Sequence, residues 1–462
     1  MLVNIKFMAL APRHIELVAA ADLPQAGVFG RDLPMEHRRH LGRSYDQLYW
    51  DASHGLYPNA LAALLPTVRA GGRCLLHLPE TSADPEHQRL GDYGSDFRRW
   101  RPRFNGRLRR FINASPTGPG AEIINDWPAL DFRIPRQIIL GPRGAGKSTL
   151  LARHHRENGG LLVLPFAGNE IFAGLKFLPP DEALRRKPPA AHLHIDECAA
   201  IDQEQLLALT AHYRNYTLAS SVEGYEGSGR RFLLKTLPLL RARDGCTVHQ
   251  LSGSHRFAAG DPLDCFSANV FLTQPPAPVL WPTGAALQLR EISWEELNDE
   301  ALLRQIYGLA HGGHYRTSPE DLKRLLDCPD QRLWGLWQEA NMVAFLQILE
   351  EEPLPEPLAR AVMNNERRPR GRLLLQQLLL RSQSLDFNRP LARISRIVVA
   401  ENFRRRGLAR QLVEAAQKNS PRPVGVCHRR DEQLNGFWRE LGFQSLGAGP
   451  TSLWLSRRCA RR

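Results

Sequence analysis

The sequence has few cysteines and lacks any long apolar run. Its seven cysteines lie far apart, and none is paired as C-x-x-C. Paired cysteines are typical of zinc sites and disulfide frameworks, so we expect free thiols, no metal cluster and a reducing compartment. No apolar stretch approaches the roughly 18 residues that a membrane helix requires, and the first residues do not resemble a signal peptide. These absences predict a cytoplasmic protein without a membrane partner.

Acidic residues are also scarce relative to basic ones. The chain carries 61 Lys and Arg against 48 Asp and Glu, which gives a formal net charge of +13 and a pI near 9.8. The positive electrostatic field of such a chain attracts polyanions. Because arginine also pairs well with phosphates and stacks on bases, nucleic acid is the expected partner. A basic protein without a nucleic-acid role is the alternative. The 462 residues exceed what one hydrophobic core holds and predict several domains.

A phosphate-binding loop lies in the middle of the chain, between an apolar strand at 138–140 and a predicted helix. Its pattern is G-x-x-x-x-G-K-[ST]. The residues are Gly141, Pro142, Arg143, Gly144, Ala145, Gly146, Lys147, Ser148, Thr149 and Leu150. Glycines let backbone N–H groups turn toward phosphate oxygens, and the helix that follows adds a favourable field. We therefore expect an ATP site, with Lys147 at the β- and γ-phosphates and Ser148 on Mg²⁺.

A second pattern that suits an ATPase follows at 191–197, a short alternating strand that ends in two carboxylates. Asp196 would hold Mg²⁺, and Glu197 would polarise the attacking water as the catalytic residue of ATP hydrolysis. The alternative is that the two residues only cap the next helix. Further along, Arg256 occupies a position late in the domain, where helicase-type ATPases keep an arginine for the γ-phosphate.

The region before the phosphate loop predicts a small parallel sheet. A strand at 47–50, a helix at 58–68, a turn at Gly71 and Gly72, and a strand at 74–78 form a β-α-β unit. Asp51, at the end of the first strand, either binds a ligand or caps the next loop, and capping is the favoured interpretation.

The segment 98–111 interleaves arginines with Phe97, Trp100, Phe104 and Phe111. This composition suits looped RNA, which offers phosphates to the charges and unstacked bases to the rings. The alternative is an amphipathic segment whose rings are buried and whose arginines are solvated.

A second phosphate cradle is predicted near the carboxyl end. The strand at 395–399, which includes Ile397, Val398 and Val399, opens into an R-x-x-G-x-A loop and a helix at 411–417. The loop consists of Arg404, Arg405, Arg406, Gly407, Leu408, Ala409 and Arg410. Its backbone amides and helix start suit a pyrophosphate, and its arginines suit further phosphate charge. A basic helix start without a ligand is the alternative.

The R-x-x-G-x-A loop after a strand resembles the acetyl-CoA-binding motif of the GNAT acetyltransferases. The resemblance implies that 397–399 pair with the pantetheine arm of acetyl-CoA and that 404–410 hold its pyrophosphate. The segment 435–443, which ends in Gly442 and Phe443, is similar to the helix and turn that follow in GNAT proteins.

Several segments narrow the resemblance to one family. The segments 224–230, 314–319 and 367–371, with the β-α-β unit, resemble the bacterial tRNA(Met) cytidine acetyltransferases, the TmcA family. The resemblance implies an α/β architecture of three domains: a Rossmann-like domain at 1–115, a RecA-like P-loop ATPase or helicase domain at 116–278, and a GNAT domain at 279–462. Relative to that family, we expect a short form without the helical tRNA-binding tail. Members of that family have a glutamine upstream of the phosphate loop that recognises adenine, and residues 120–136 of this sequence contain no counterpart of it.

The family's activity is acetyl transfer from acetyl-CoA to the exocyclic amine of the wobble cytidine in elongator tRNA(Met), with ATP hydrolysis. The sequence does not identify the general base of acetyl transfer. Two alternatives stay open at this stage. One is a GNAT acetyltransferase that acts on another RNA or on a protein lysine, and the other is an RNA remodeller that uses ATP without acetylating.

Overall fold

The structure is a computed structural model that describes residues 11–33, 40, 43–80, 84–114, 131, 133–142, 144–166, 170–221, 232–251, 255, 257, 260–273, 286–313, 318–369, 371, 374–382, 385–447 and 451–456. The chain divides into two compact units, each assembled from three segments. The first unit contains Met1–Glu80, Asn105–Gln274 and Tyr315–Glu320, and the second contains Thr81–Phe104, Pro275–His314 and Asp321–Arg462. The boundaries of three domains expected from the sequence remain a prediction.

A four-stranded parallel sheet forms one part of the first unit. Its strands are β1 (His14–Leu17), β2 (Val28–Phe29), β3 (Tyr45–Asp51) and β4 (Val68–His77), in the order β1-β4-β3-β2. Helix α1 (Pro58–Leu64) connects β3 to β4, because parallel neighbours need a crossover between them. The predicted β-α-β unit is therefore confirmed. The Asp51 carboxylate accepts a hydrogen bond from the Ser53 N–H (2.9 Å), so its capping role is confirmed as well.

Two details of this sheet differ from the sequence expectation. Helix α1 ends at Leu64 and gives way to a 3₁₀ turn at Leu65–Thr67, because Pro66 has no N–H with which to continue the helix. Gly71 and Gly72 form no separate turn but lie inside β4. Gly71 has a φ of 77°, and the register of β4 against β3 shifts between Tyr45 and Gln47. An irregular strand pairing of this kind accommodates a glycine in the left-handed region.

A five-stranded parallel sheet forms the other part of the first unit. Its strands are β5 (Arg136–Gly141), β6 (Leu161–Val163), β7 (Leu193–Ile195), β8 (Tyr216–Ser221) and β9 (Thr247–Gln250), in the order β6-β7-β8-β5-β9. The helices of this unit are α3 (Arg103–Asn113), α4 (Lys147–Asn158), α5 (Pro180–Arg186), α6 (Gln203–His212), α7 (Leu237–Asp244) and α8 (Pro262–Phe271). The apolar residues of β5, β6, β7 and β8 are buried in two clusters, whereas β9 at the edge of the sheet is exposed or half-buried. Since all strands are parallel, β5 and β7 end at the same edge.

The second unit is built on a seven-stranded sheet. Its strands are β10 (Leu287–Ile292), β11 (Gln331–Gln338), β12 (Asn341–Glu351), β13 (Leu391–Val399), β14 (Val424–Arg429), β15 (Phe443–Ser445) and β16 (Thr451–Ser456), in the order β10-β11-β12-β13-β14-β16-β15. Its helices are α2 (Glu86–Leu90), α9 (Glu300–Gly313), α10 (Pro319–Asp327), α11 (Glu356–Met363), α12 (Leu374–Ser382), α13 (Leu408–Asn419) and α14 (Glu432–Glu440). Neighbouring strands are antiparallel except for β13 and β14. The predicted strand at 395–399 and helix at 411–417 are therefore confirmed, within longer elements.

The arginine and aromatic segment is part of the packed structure. Trp100 and Phe104 are 1% and 0% exposed. Arg107 is also buried and donates hydrogen bonds to the backbone carbonyls of Asn269 (2.7 Å) and Val270. Trp100 and Phe104 are therefore not available to stack on bases, as the amphipathic interpretation expects, whereas the burial of Arg107 departs from its expectation of solvated arginines.

In the part of the chain that the structure describes, no helix is long and apolar enough to cross a bilayer. The cysteines described there are free thiols. Burial raises the pKa of Cys328 to about 12 and that of Cys427 to about 11. Neither thiol is therefore an activated nucleophile near neutral pH.

Candidate functional site

The phosphate loop joins the end of β5 to the start of α4. Gly144 and Gly146 have φ values of 81° and 80°, and Gly146 is the N-cap of α4. Left-handed residues that alternate with right-handed ones turn backbone N–H groups toward a common centre, which suits an anion. Gly141 is tightly packed, because a Cβ atom there would lie 2.9 Å from the Cβ of Leu251. The loop therefore needs glycine at these positions for both conformation and space.

The side chains of the loop differ in what they can contact. Lys147 is buried, and its Nζ donates hydrogen bonds to the carbonyls of Gly141 (3.1 Å) and Pro142 (2.6 Å). This contact holds the ammonium beside the loop, where phosphates are expected. Ala145 and Leu150 are buried in the apolar cluster under the loop, and Thr149 is exposed. Arg143 lies outside the described residues.

Asp196 follows β7 directly and faces the start of α4. The Ser148 hydroxyl donates a hydrogen bond to Oδ2 of Asp196 over 2.9 Å. Burial and the nearby charge of Glu197 raise the pKa of Asp196 to about 7. A hydroxyl and a carboxylate are oxygen ligands of the kind that Mg²⁺ prefers, and a cation between them would lower that pKa again. The residues present therefore fit a magnesium ion.

Glu197 has an unusual backbone. Its φ of 47° places it in the left-handed region, which costs a residue with a side chain about 1 kcal/mol or more. It is the N-cap of a short 3₁₀ helix at Cys198–Ala200, yet its side chain makes no capping hydrogen bond. The side chain therefore does not cap this helix, and its role in ATP hydrolysis stays a prediction.

A cluster of histidines next to these carboxylates was missed by the sequence analysis. His192 and His194 flank Leu193 at the start of β7 and meet His154 of α4. Burial and the neighbouring imidazoles lower the pKa of His192 to about 4 and that of His194 to about 2. The signal in the sequence was the H-x-H pattern on a strand, whose residues share one face of the sheet.

The second candidate site lies where β13 and β14 diverge. The two strands are parallel neighbours, but their pairing covers only Ala392 with Val424 and Arg393 with Gly425. Beyond these positions β13 pairs with β12 on its other side, and β14 pairs with β16. The facing edges of β13 and β14 therefore leave backbone groups for a ligand that lies between them.

The residues predicted to pair with that ligand lie at this open edge. Ile397 and Val399 are half-buried, Val398 is buried, and all three belong to the carboxyl end of β13. A backbone with one edge unpaired suits an extended molecule such as a pantetheine arm.

The R-x-x-G-x-A loop continues from this edge to α13. Arg405 has a φ of 60° and Gly407, the N-cap of α13, has a φ of 77°. Arg405 and Gly407 thus repeat the alternation of left-handed and right-handed residues that the phosphate loop shows at Gly144 and Gly146. A Cβ atom at Gly407 would meet no described atom within 4 Å, so open space lies in front of the helix start. Amides at such a position suit a pyrophosphate.

The arginines of this loop are not equivalent. Arg404, Arg405 and Arg406 are exposed. Arg410 instead pairs with Glu440 (3.1 Å) and lies 3.9 Å from Glu414. Leu408 is buried in the core, and Ala409 is half-buried. These three exposed guanidinium groups are the ones placed to reach phosphate charge, although Arg404 Nε donates to the Val399 carbonyl (3.4 Å) and Arg406 lies over the Phe403 ring (5.1 Å).

Other predicted positions are not described by the structure. Arg256 and the segments 224–230 and 314–317 lie outside the described residues, as does Arg370. Arg256 as a γ-phosphate contact therefore stays a prediction.

Three family models match this chain in separate stretches. Residues 29–117 match the N-terminal region of tRNA(Met) cytidine acetyltransferase TmcA. Residues 168–274 match the helicase domain of the RNA cytidine acetyltransferases NAT10/TcmA, and residues 294–443 match the GNAT acetyltransferase family. The architecture of a helicase-like domain and a carboxyl-terminal GNAT domain, both α/β, is thereby confirmed.

Curated relatives agree with these models. The chain is 29% identical over 477 residues to the tRNA(Met) cytidine acetyltransferase TmcA of Pectobacterium atrosepticum, covering 89% of this chain and 67% of that protein. It is 29% identical over 451 residues to the protein of the same name from Salmonella typhimurium, covering 87% and 66%. The chain thus spans about two thirds of the length of these relatives. A crystal structure of Arabidopsis thaliana NAA60 with a bisubstrate analogue is similar at 14% identity and a TM-score of 0.25, over 37% of this chain and 97% of that one.

Proposed function

We propose that the chain is a member of the TmcA family of tRNA(Met) cytidine acetyltransferases and that it acetylates a cytidine of tRNA, with acetyl-CoA as donor and ATP as a second substrate. The observation that carries the proposal is the divergence of β13 and β14 in front of the amino end of α13. That geometry offers an extended ligand an unpaired strand edge at one end and a phosphate-binding helix start at the other. The hydrogen bond between Ser148 and Asp196 at the end of the phosphate loop supports the use of ATP.

Residues of the phosphate loop would hold ATP. The backbone N–H groups around Gly144 and Gly146 would face its phosphates, and Lys147 would exchange its two carbonyl partners for phosphate oxygens. Ser148 and Asp196 would hold Mg²⁺, which neutralises phosphate charge when bound. Glu197 would orient the water that attacks the γ-phosphate.

At the acetyl-transfer site, the residues of the chain would position acetyl-CoA and polarise its thioester carbonyl. The open edge of β13 at 397–399 would hold the pantetheine arm, and the loop at 404–407 would hold the pyrophosphate. A cytidine amine is a weak nucleophile because its lone pair is delocalised into the ring. A backbone N–H beside Val399 that donates to the thioester carbonyl oxygen would therefore assist the attack, by stabilising the oxyanion that forms. The amine proton passes to a general base, and CoA leaves as the thiol.

ATP hydrolysis has an energetic purpose in this scheme. The acceptor base is stacked in its RNA loop, and extruding a base costs a few kcal/mol. We assign that work to the helicase-like module, which would present the base to the acetyl-transfer site. The basic surface implied by the net charge of +13 would hold the tRNA backbone.

The finer assignments are part of the same proposal. The acceptor is the wobble cytidine of elongator tRNA(Met), the metal is Mg²⁺, and the compartment is the cytoplasm, where tRNA and free thiols coexist. The names of the curated relatives and the oxygen ligands at Ser148 and Asp196 support these choices.

The test is a transfer assay with labelled acetyl-CoA, ATP with Mg²⁺, and total tRNA, followed by nucleoside analysis. We expect N(4)-acetylcytidine in elongator tRNA(Met), and we expect Lys147→Ala to abolish its ATP-dependent formation. Lys147→Ala should still bind acetyl-CoA, measured by calorimetry. Lys176→Ala, which alters an exposed lysine of the same unit, is the matched control and should keep full activity.

Three outcomes would contradict the proposal. Label found only on protein lysines or on another RNA would change the acceptor. ATP hydrolysis stimulated by tRNA without any acetylation would indicate an RNA remodeller. Loss of acetyl-CoA binding in Lys147→Ala would show that the two sites are not separate.

A further inference from the structure

Three histidines from two segments meet inside the first unit. His154 belongs to α4, His192 immediately precedes β7, and His194 lies within β7. Their ring centroids form a nearly equilateral triangle, with sides of 4.9 Å (His154 to His192), 4.9 Å (His154 to His194) and 4.7 Å (His192 to His194). One ligand nitrogen from each ring lies within 4.8 Å of the other two. The three nitrogens are therefore close enough to surround a single ion.

The polar contacts of the three rings support this convergence. His194 Nε2 lies 2.9 Å from His154 Nδ1, and His192 Nε2 lies 2.9 Å from the hydroxyl of Thr217. That hydroxyl is also 3.4 Å from His154 Nδ1. Two imidazoles that bind one tetrahedral zinc ion have nitrogens about 3.3 Å apart, since each Zn–N bond is about 2.0 to 2.1 Å. Small ring rotations would bring the observed spacings to that value.

Burial and neighbouring polar groups hold the rings in place. His154 and His194 are 1% and 0% exposed, and His192 is half-buried. The other ring nitrogen of His194, Nδ1, lies 3.4 Å from His155 Nδ1. A metal-binding histidine commonly has such a polar partner on its second nitrogen, which fixes the orientation of the ring.

We propose that His154, His192 and His194 form a binding site for a divalent transition metal, with Zn²⁺ as the preferred ion and the Thr217 hydroxyl or a water as the fourth ligand. Nitrogen ligands select zinc-type ions over Mg²⁺ and Ca²⁺, which prefer oxygen. The site is therefore chemically distinct from the Ser148 and Asp196 pair. It adds a structural metal to the ATPase sheet and is independent of acetyl transfer.

The location of the site gives the metal a specific effect. Helix α4 begins with Lys147 and Ser148, and β7 leads directly into Asp196. A metal held by His154 on the helix and by His194 on the strand would cross-link these two elements. Because it binds the folded state, it should raise the thermal unfolding midpoint of the protein.

The experiment uses the untagged full chain, with excess Mg²⁺ to saturate oxygen-ligand sites. Zn²⁺ affinity is measured by competition with a chelator, and stoichiometry by elemental analysis. We expect one Zn²⁺ per chain and a higher unfolding midpoint with Zn²⁺. Removing a residue that only hydrogen-bonds to a metal ligand weakens metal binding by about 10- to 100-fold. Removal of a ligand itself, in His154→Asn or His194→Asn, should therefore weaken Zn²⁺ binding by more than about 100-fold. His212→Asn, at an exposed histidine of α6, is the matched control and should bind as the wild type does.

A measurement on the wild type guards against variants that fail to fold. Co²⁺ bound in place of Zn²⁺ should give the intense visible absorption of a tetrahedral site, and Zn²⁺ should displace it. Failure to bind one Zn²⁺ at micromolar concentration, an octahedral Co²⁺ spectrum, or unchanged affinity in a folded His194→Asn variant would each overturn the proposal. None of these outcomes depends on acetylation, so they leave the proposed function untouched.

Discussion

The Ser148 hydroxyl donates a hydrogen bond to Asp196 across 2.9 Å, although 48 positions separate the two residues in sequence. The contact exists because β5 and β7 end at the same edge of a parallel sheet, which brings the start of α4 beside the end of β7. It places two oxygen groups of the kind that Mg²⁺ prefers at the end of the phosphate loop.

The first prediction concerns this pair. Asp196→Asn removes the buried carboxylate but keeps its size, so Mg²⁺-dependent ATP hydrolysis should fall on the order of 100-fold or more. The measurement is steady-state phosphate release at saturating Mg²⁺. Asp181→Asn, at an exposed carboxylate of α5, is the control and should retain normal turnover. ATPase activity close to the wild type in Asp196→Asn would remove this residue from the site.

The second prediction concerns a buried ion pair in the first unit. Arg13 and Asp261 are each 1% exposed, and their closest side-chain atoms, Nη2 and Oδ1, are 2.9 Å apart. Arg13→Met removes the cationic partner of Asp261 and leaves its buried charge with only the backbone N–H groups of Arg13 and Asp264 as donors among the described residues, so the free energy of unfolding should fall by about 3 to 5 kcal/mol. Denaturant titration measures the change. Arg133→Met, which breaks an exposed pair with Asp131, should change stability by less than about 0.5 kcal/mol.

The double variant Arg13→Met with Asp261→Leu separates charge from packing. If the loss in Arg13→Met comes from an uncompensated carboxylate, removing that carboxylate should recover part of the stability. A double variant that loses the full sum of the two single changes would contradict this explanation.

The third prediction concerns the pH dependence of stability in the second unit. Lys323 is fully buried, and its Nζ lies 2.5 Å from Asp84, 3.1 Å from Asp327 and 4.0 Å from Glu86. Burial alone would raise the pKa of Asp84, but the Lys323 ammonium outweighs burial and holds that pKa below its usual value. Asp84 therefore contributes stability above its unfolded-state pKa, and this contribution is lost as the pH falls through the folded-state pKa.

Lys323→Met removes the ammonium that offsets the effect of burial on the pKa of Asp84. Without the ammonium, burial raises the pKa values of Asp84 and Glu86, so the variant should lose about 3 to 5 kcal/mol of stability at pH 7. The difference from the wild type should shrink as the pH falls toward about 4, where these two carboxylates of the variant take up protons. Thermal unfolding across this pH range measures it, with Lys418→Met on the exposed face of α13 as control. A difference that does not change with pH would indicate lost packing instead of charge.

The fourth prediction concerns Gly407 at the start of α13. Alanine fits the space there, but the φ of 77° is unfavourable for it, so Gly407→Ala should distort the loop and weaken acetyl-CoA binding about tenfold. Calorimetry with acetyl-CoA provides the readout. Gly106→Ala, within α3 and equally open, is the control and should be neutral or slightly stabilising, because alanine is the better helix residue. Equal affinities for both variants would argue against a pyrophosphate at this loop.

The sequence predicted the features that short segments encode. The phosphate loop, the acidic pair after β7 and the R-x-x-G-x-A loop each depend on local conformation, namely glycines with positive φ and a strand that leads into a helix. The element type is set by residues within a few positions, so such motifs are visible without tertiary information. Helix α1 shows the limit of such local prediction. The sequence pattern predicts that the helix continues to residue 68, but Pro66 ends it earlier.

The features that the sequence did not reveal depend on distant segments. Whether Trp100 and Phe104 stack on RNA or pack in a core is decided by residues far along the chain. The same holds for Lys323, whose carboxylate partner Asp84 lies 239 positions away. The histidine cluster combines α4 with the start of β7, and neither segment alone has the spacing of a metal site. Such contacts follow from sheet order, which local patterns do not specify.

The short pairing between β13 and β14 has a consequence for backbone dynamics. Gly425 sits at the last paired position, and a Cβ atom there would come within 2.6 Å of the Leu375 side chain, so the joint between the strands is closely packed. Past this joint, amide protons along the facing edges have no strand partner and should exchange rapidly with deuterated solvent. An extended ligand would supply the missing hydrogen-bond partners and slow that exchange, while amides shared between β12 and β13 stay protected throughout. The exchange rates of these backbone amides would therefore report whether the cleft is occupied, before any acetyl group is transferred.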